Sequence, residues 1–470
     1  MKKKSVRPLF LVGCLIGITC VAMAYSTSGT GVTSGTNVTT GIVTLSGHLA
    51  QHKVLSGADG TVTLSLTMSA DDVLDLEDGD ARPVDLVIVL DRSGSMRGKK
   101  IADAKQAILS LLSRLSAKDR LALVSYSDRV RRHANLLKVT PTNRMLLSSA
   151  IAGIWANGGT NLGAGLQEGL NVLQGARRDG HVGKLILISD GLANQGITDP
   201  TALSHMASIA VEKEFAVSTA GVGNEFNEQL MTAIANRGAG RYYYLEEPAA
   251  FAAVFQREFH NARAVAATGV EVRVPLKQGI LLVDAGGYPI DIQNNQAIFH
   301  PVDLLSGERR KLFLTLRVPT GEERVFELSG IGVRYCYKGS AYTAPLAESL
   351  TIACVKDQQD VFASIDKDEW EEKVLRDDYN RLREEVAADI KDGNEKEALS
   401  RIEHYTKKQE SINAVVGSSE VATNLDRDVE DLRAKVKDTF QGAPQEVEQK
   451  QRRNAKVLQY EGYVGRRSGS

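Results

Sequence analysis

Between residues 84 and 263 the chain alternates short, almost unbroken apolar runs with segments whose apolar residues recur every three or four positions. The runs 85–90, 184–189 and 215–221 are apolar on both sides of an extended chain, as in parallel strands covered on two faces. Residues 120–126, 136–139 and 241–245 complete the predicted strands. Ile101, Ala104, Ile108, Leu111, Leu112 and Leu115 share one helix face, which predicts a helix over 101–115. Further helices are predicted over 143–154, 163–175, 201–211, 227–236 and 248–263. Alternation of this kind predicts a doubly wound, mostly parallel α/β sheet.

On both sides of this section the texture changes. Residues 42–49 and 61–67 read as strands joined across Asp59-Gly60, a dipeptide suited to a tight hairpin turn. After residue 264 strands return without intervening helices, over 270–274, 280–283, 297–300, 311–318, 325–328 and 331–337. A lone hairpin is marginal. The early and late strands are therefore expected to form one antiparallel β-sandwich into which the α/β domain is inserted. From residue 361 the chain is charged and helical, with one apolar stripe at Leu375, Tyr379, Leu382 and Val386 and another at Val421, Leu425, Val429, Leu432 and Val436. A break at Asp392-Gly393-Asn394 separates them, so a C-terminal helical hairpin or short bundle is predicted. The expected organisation is a signal peptide over 1–24, a flexible leader over 25–40, sandwich strands over 41–80, the α/β domain over 82–264, the remaining sandwich over 265–356, helices over 357–440 and a mobile tail over 441–470.

Charge alters the picture at the amino terminus. Lys2, Lys3, Lys4 and Arg7 precede an apolar run that closes on Ala22-Met23-Ala24, the layout of a cleaved export signal. An uncleaved anchor and lipidation at Cys14 are the alternatives, and only these would attach the chain to a membrane. All three imply export, to the periplasm, the cell surface or the medium. Removing the four cations takes the formal charge from −1 to −5. That balance excludes the basic field a nucleic-acid binder needs. Outside the signal the cysteines are Cys336 and Cys354. A turn at Lys338-Gly339-Ser340 would set Cys336 opposite a residue near Tyr342, so a bridge to Cys354 needs the chain to break near Pro345 and return; both outcomes stay open.

The residues that carry chemistry stand where predicted strands end, the edge at which open α/β sheets take ligands. Asp91-Arg92-Ser93-Gly94-Ser95 follows the first strand, Gly158-Gly159-Thr160-Asn161 leads into a helix, and the apolar run 184–189 ends at Ser189 and runs into Asp190-Gly191. All the donors are oxygens. Two carboxylates and three hydroxyls suit a hard dication, Mg²⁺ or Mn²⁺, or Ca²⁺ in a looser shell. Asn157 and Asn161 are expected to form turns and cap the helix. Trp155 and Tyr242-Tyr243-Tyr244 are expected to pack in the core and along the sheet edge.

Asp91-x-Ser93-x-Ser95, Thr160 and Asp190 together resemble the metal-ion-dependent adhesion site of von Willebrand factor type A domains, integrin I domains among them. The resemblance covers about residues 82–264. It implies that Ser93, Ser95 and Thr160 coordinate the metal, that Asp91 and Asp190 act directly or through water, and that the helix over 248–263 is the one that moves in switching members. The arrangement of flanking strands is similar, more loosely, to inter-alpha-trypsin inhibitor heavy chains and exported bacterial relatives. Together with the export signal, the resemblance implies an exported, cation-dependent adhesion or protein-binding function, with the metal taking an Asp or Glu carboxylate of a partner protein. The alternatives are a scaffold or assembly factor that works through its C-terminal helices around a structural metal, and a metal-dependent hydrolase. Against the last, the chain has no G-x-S-x-G, no H-E-x-x-H, no P-loop and no histidine in the three loops.

Overall fold

The computed structural model describes residues 41–73, 82–175 and 180–467. Its central feature is a six-stranded sheet in which Val84–Asp91 lies between Arg120–Tyr126 and Val182–Ser189. Phe215–Val222 and Ala239–Leu245 extend the sheet on one side in parallel, and Val130–Lys138 closes the other edge antiparallel to Arg120–Tyr126. The apolar runs read from the sequence are these strands, buried along their whole length over Val84–Asp91, Val182–Ser189 and Phe215–Val222. The edge strand is longer than the predicted 136–139. Residues 130–135 alternate half-buried with exposed and carry basic side chains and a histidine, so they lack an apolar signature.

Helices cover both faces. One core joins Lys99–Arg114, Pro141–Ala152 and Phe251–Ala264 to the sheet, and a second joins Leu162–Gln174, Pro200–Val211 and Glu228–Arg237 to the opposite side. From the central strand the chain winds first one way and then the other. The reversal falls between the ends of Val84–Asp91 and Val182–Ser189, a crevice at the strands' carboxyl termini.

The strands outside this section pair with one another. Val43–Leu49 runs antiparallel to Thr61–Ala70, which pairs along its length with Arg309–Arg317. A second sheet centres on Val265–Pro275 and Gly332–Tyr337, and a small third sheet holds Val325–Leu328, Leu350–Val355 and Lys53–Leu55. All three share one apolar core. The early strands are not joined by a tight turn at Asp59-Gly60, as expected, because Lys53–Leu55 intervenes and pairs with Leu350–Val355. Gly60 instead holds φ +70°, where the Val318 carbonyl occupies the place a side chain would take. Cys336 stands opposite Ala341, and Cys354 lies in the third sheet opposite Val54, so no bridge joins them.

The carboxyl-terminal region departs most from expectation. In place of a mobile tail from 441, Pro444–Arg467 is a 24-residue helix that buries Ala455, Leu458, Gly462 and Tyr463 together with Lys456 and Arg466. It packs on Tyr379–Lys391 and on the α/β domain, where the Tyr463 hydroxyl accepts the Tyr242 backbone N–H at 3.0 Å. That bond occupies a donor on the open edge of the sheet, a position that otherwise invites pairing with another chain. Two of the six buried residues, Lys456 and Arg466, are charged, and they interrupt the apolar stripe that would have announced the helix. Among the described residues no helix is long and apolar enough to cross a membrane. The signal, the leader and Ser468–Ser470 lie outside the described residues.

Candidate functional site

Asp91 ends the central strand and Asp190 follows the neighbouring one, so parallel pairing of those strands brings the two carboxylates to one crevice. Both are fully buried. Asp91 Oδ1 accepts the backbone N–H of Ser93 at 2.7 Å, and its Oδ2 accepts the Ser189 hydroxyl at 2.8 Å. Burial pushes the Asp91 carboxyl up to about 6, against the pull of these hydrogen bonds. A 3₁₀ turn over Gly94–Met96 carries Ser95 back across the crevice. Its hydroxyl lies 3.0 Å from Ser93 Oγ and donates to Asp190 Oδ1 at 2.7 Å.

Thr160 arrives on the turn before Leu162–Gln174. A methyl group built on Gly191 would stand 3.5 Å from Ser95 Oγ and 3.7 Å from Thr160 Oγ1, so both hydroxyls face this glycine. The five residues read from the sequence are thus brought to one place. Asn161 caps the helix by accepting the Ala164 N–H, and Asn157 accepts from the Arg92 guanidinium at 2.8 Å, as turn and cap roles require.

Four residues of the site escaped the sequence reading. Lys100, on the first helix, reaches Asp190 Oδ2 at 2.5 Å. Ser189 holds Asp91. Asn194 accepts the Thr160 N–H at 2.9 Å. Asp128, in the turn of the edge hairpin, accepts the Gly159 N–H at 2.7 Å and the Gln195 amide at 2.6 Å; these bonds hold its carboxyl below the usual range. Gly158 adopts φ +80° and passes so near that carboxylate that a β-carbon would collide with it. Only the position of Asp128 just beyond a strand's carboxyl end could have drawn attention to it.

Trp155 corrects its expected packing role. It is 61% exposed in the loop leading to Thr160, and Leu192 and Ile197, just after Asp190, are 58% and 48% exposed. Tyr242, Tyr243 and Tyr244 are buried, in keeping with theirs.

The chemistry of the donor set fits a hard cation. Two carboxylates without solvent, Asp91 and Asp190, stand with the hydroxyls of Ser93, Ser95, Thr160 and Ser189, and Lys100 pairs with Asp190. Ser95 is exposed, so the crevice opens to solvent. Among the described residues no group of three or more His, Cys, Asp and Glu side chains gathers to hold a metal, so the crevice offers two carboxylates and hydroxyls. His133 stays outside the set. It meets Ser125, which also accepts from Arg92, and burial beside Arg131 and Arg92 lowers its imidazole to about 4.

Residues 85–257 match the family model of the von Willebrand factor type A domain. An uncharacterized protein of Synechocystis, sll0103, is 27% identical over 287 residues, which span 59% of this chain and 67% of that protein. Inter-alpha-trypsin inhibitor heavy chain H3 of Rattus norvegicus is 28% identical over 215 residues, 44% of this chain and 24% of that one, so the chain spans about a quarter of this relative's length. Among solved structures, a von Willebrand factor type A protein from Catenulispora acidiphila superposes on 87% of this chain and 92% of its own at a TM-score of 0.63 and 16% identity. That likeness is one of fold, and its coverage extends beyond the α/β section to the surrounding strands and helices.

Proposed function

We propose that the chain is an exported, non-catalytic protein-binding module in which Asp91, Ser93, Ser95, Thr160 and Asp190 hold a divalent cation, Mg²⁺ or else Mn²⁺ or Ca²⁺. The cation supplies positive charge to the two buried carboxylates and a position for an Asp or Glu carboxylate of a partner protein. The observation that carries this reading is a solvent-open, oxygen-lined crevice that brings two fully buried carboxylates together, with exposed apolar side chains in the chain segments that lead to Thr160 and follow Asp190. Ser189 and the Ser93 N–H fix the Asp91 carboxylate, Ser95 orients Asp190, and Asn194 sets the backbone at Thr160. Trp155, Leu192 and Ile197 offer the apolar contact area on which protein interfaces rely, with tryptophan a frequent anchor.

A non-catalytic role is favoured by a donor set without histidine or cysteine, His133 being engaged with Ser125 beside Arg92.

Two variants separate cation binding from partner binding. Titration calorimetry with Mg²⁺ should give binding for the wild-type chain and for Trp155→Ala, and none for Asp91→Ala. Capture of a partner from the exported proteins of the host should be lost in EDTA, in Asp91→Ala and in Trp155→Ala. Capture that survives both EDTA and Asp91→Ala would overturn the proposal.

A further inference from the structure

Far from the cation crevice, a cavity of about 190 Å³ lies where three parts of the chain meet. The edge strand Ala239–Leu245 contributes Arg241, the sandwich contributes Tyr288 and Arg310, and the last helix contributes Tyr463 and Arg467. Arg257, on Phe251–Ala264, also lines it. Four guanidinium groups therefore surround the space, and the lining includes one carboxylate, Glu308.

That carboxylate is already in use. Glu308 accepts from Arg310 through Oε1 and from the Leu305 N–H through Oε2. Glu258, the other buried acid of this region, is taken by Lys184, Ser218 and Tyr243; its charge reaches Arg241 without a hydrogen bond between them. Arg257 is exposed and Arg241 half-buried; no hydrogen bond of either guanidinium is seen among the described residues, and Glu258 and Glu308 act on the Arg241 charge only across space. Arg467 reaches the Tyr463 and Gly287 carbonyls with its terminal nitrogens and lies 3.9 Å from the Glu384 carboxylate, while its Nε is buried and unpartnered. The Tyr288 hydroxyl, on a side chain only 4% exposed, is likewise without a partner.

Each buried donor left unsatisfied costs roughly 1–3 kcal/mol. Water could satisfy the hydroxyl, but only an anion would also add charge opposite to a lining that holds four guanidinium groups and one carboxylate. Every free group named here donates hydrogen bonds, and guanidinium has no acceptor. The complementary ligand accepts only, is negative, and is smaller than the ligands of sites of about 300–1,000 Å³. Arginine's planar fork suits the oxygens of carboxylate and phosphate.

We propose that this cavity binds a small oxyanion, a phosphate or a carboxylate, and that the anion clamps the last helix onto the edge strand and the sandwich. The proposal does not depend on the cation site, so the test is run on the full chain in EDTA. The probes are inorganic phosphate and acetate, each compared with sodium chloride at equal ionic strength, read by calorimetric titration and by thermal unfolding. Wild-type protein should bind at least one probe and unfold several degrees higher in it than in chloride. Phosphate binding alone assigns a phosphate source, acetate binding alone a carboxylate source. Arg241→Gln should weaken binding at least tenfold and remove the thermal shift. Tyr288→Phe deletes a single oxygen from a cavity wall, so it keeps the test sound if the arginine variant fails to fold; it should weaken binding severalfold. Hydrogen exchange over 444–467 should slow when the anion is added. Binding of neither probe, or equal binding by wild type and Tyr288→Phe, overturns the proposal.

Discussion

Buried charge is arranged differently at the sheet's carboxyl edge and beneath the last helix. At the edge, Asp91 and Asp190 are without solvent; the half-buried Lys100 pairs with Asp190, and Asp91 is held by the Ser93 N–H and the Ser189 hydroxyl, with Arg92 acting on it only across space. Beneath the helix, cations and anions interlock. Arg466 meets Asp377, Asp284 and Glu384, and Lys456 meets Glu228, which also holds Lys391. Pairing of this second kind offsets desolvation within the chain itself, so it fixes which parts dock together. The first arrangement leaves charge over. An excess of buried charge with an opening to solvent is where a ligand's charge belongs, and the two regions can be told apart by what each loses on substitution.

The largest effect is expected beneath the helix. Arg466→Met leaves Asp377 and Asp284 with Arg381 alone, and removal of one member of a buried pair costs about 3 kcal/mol or more. Denaturant unfolding should register that loss while Mg²⁺ binding stays at the wild-type level. A loss under about 1 kcal/mol, the range of an exposed pair, would mean that the network is ornamental. Next comes Asp190→Ala. Cation affinity should fall by at least ~100-fold, the upper end of what loss of an outer partner costs a metal site, with folding retained. Destabilisation comparable to Arg466→Met would erase the contrast between the two regions.

Lys100→Ala sharpens the comparison from the other side. The ammonium occupies an Asp190 oxygen and opposes a dication, so its removal should raise Mg²⁺ affinity about tenfold in a titration. A fall in affinity would show that Lys100 positions Asp190 instead of competing for it. The change expected with pH is smaller than the loss caused by a substitution, because it removes one charge and leaves every side chain in place. Glu258 is fully buried, and although burial alone would raise its carboxyl, Lys184, Arg241, Tyr243 and Ser218 hold it below the usual range. With the folded value below the unfolded one, its stabilising share is present above about pH 4.3 and is lost as pH falls through the folded value. Wild type and Glu258→Gln should therefore differ most in unfolding free energy near neutral pH and converge below about pH 4. A gap that stays constant through that acid range would exclude the ionised carboxylate as the source.

Much of the candidate site was legible because its parts are local. Asp91, Ser93 and Ser95 follow an apolar run directly, and Asp190 follows another, so reading each strand's end is enough to collect them. Ser189 and Lys100 were not legible. A serine at the end of a buried strand and the second of two lysines opening a helix are commonplace until pairing of Val84–Asp91 with Val182–Ser189 sets them against Asp91 and Asp190. Trp155 misled in the opposite way, since its size suggested the core while its loop projects into solvent. The last helix was hidden for a further reason. Its inward face presents Lys456, Gly462 and Arg466 beside Leu458 and Tyr463, and a partly charged face reads as solvated unless its partners are known.

The sequence by itself determined the alternation of strands and helices, the insertion between two sets of β-strands and the oxygen donors at the strand ends, because each rests on periodicity or on neighbours within a few residues. Tertiary structure alone decided which residues brace the two acids, which lysine opposes them, and how Pro444–Arg467 closes over the edge strand and its arginine-lined cavity. Those outcomes join residues up to 230 positions apart, such as Lys456 and Phe226. A buried charge is tolerated only beside a partner, and where that partner lies is settled by packing and not by order along the chain.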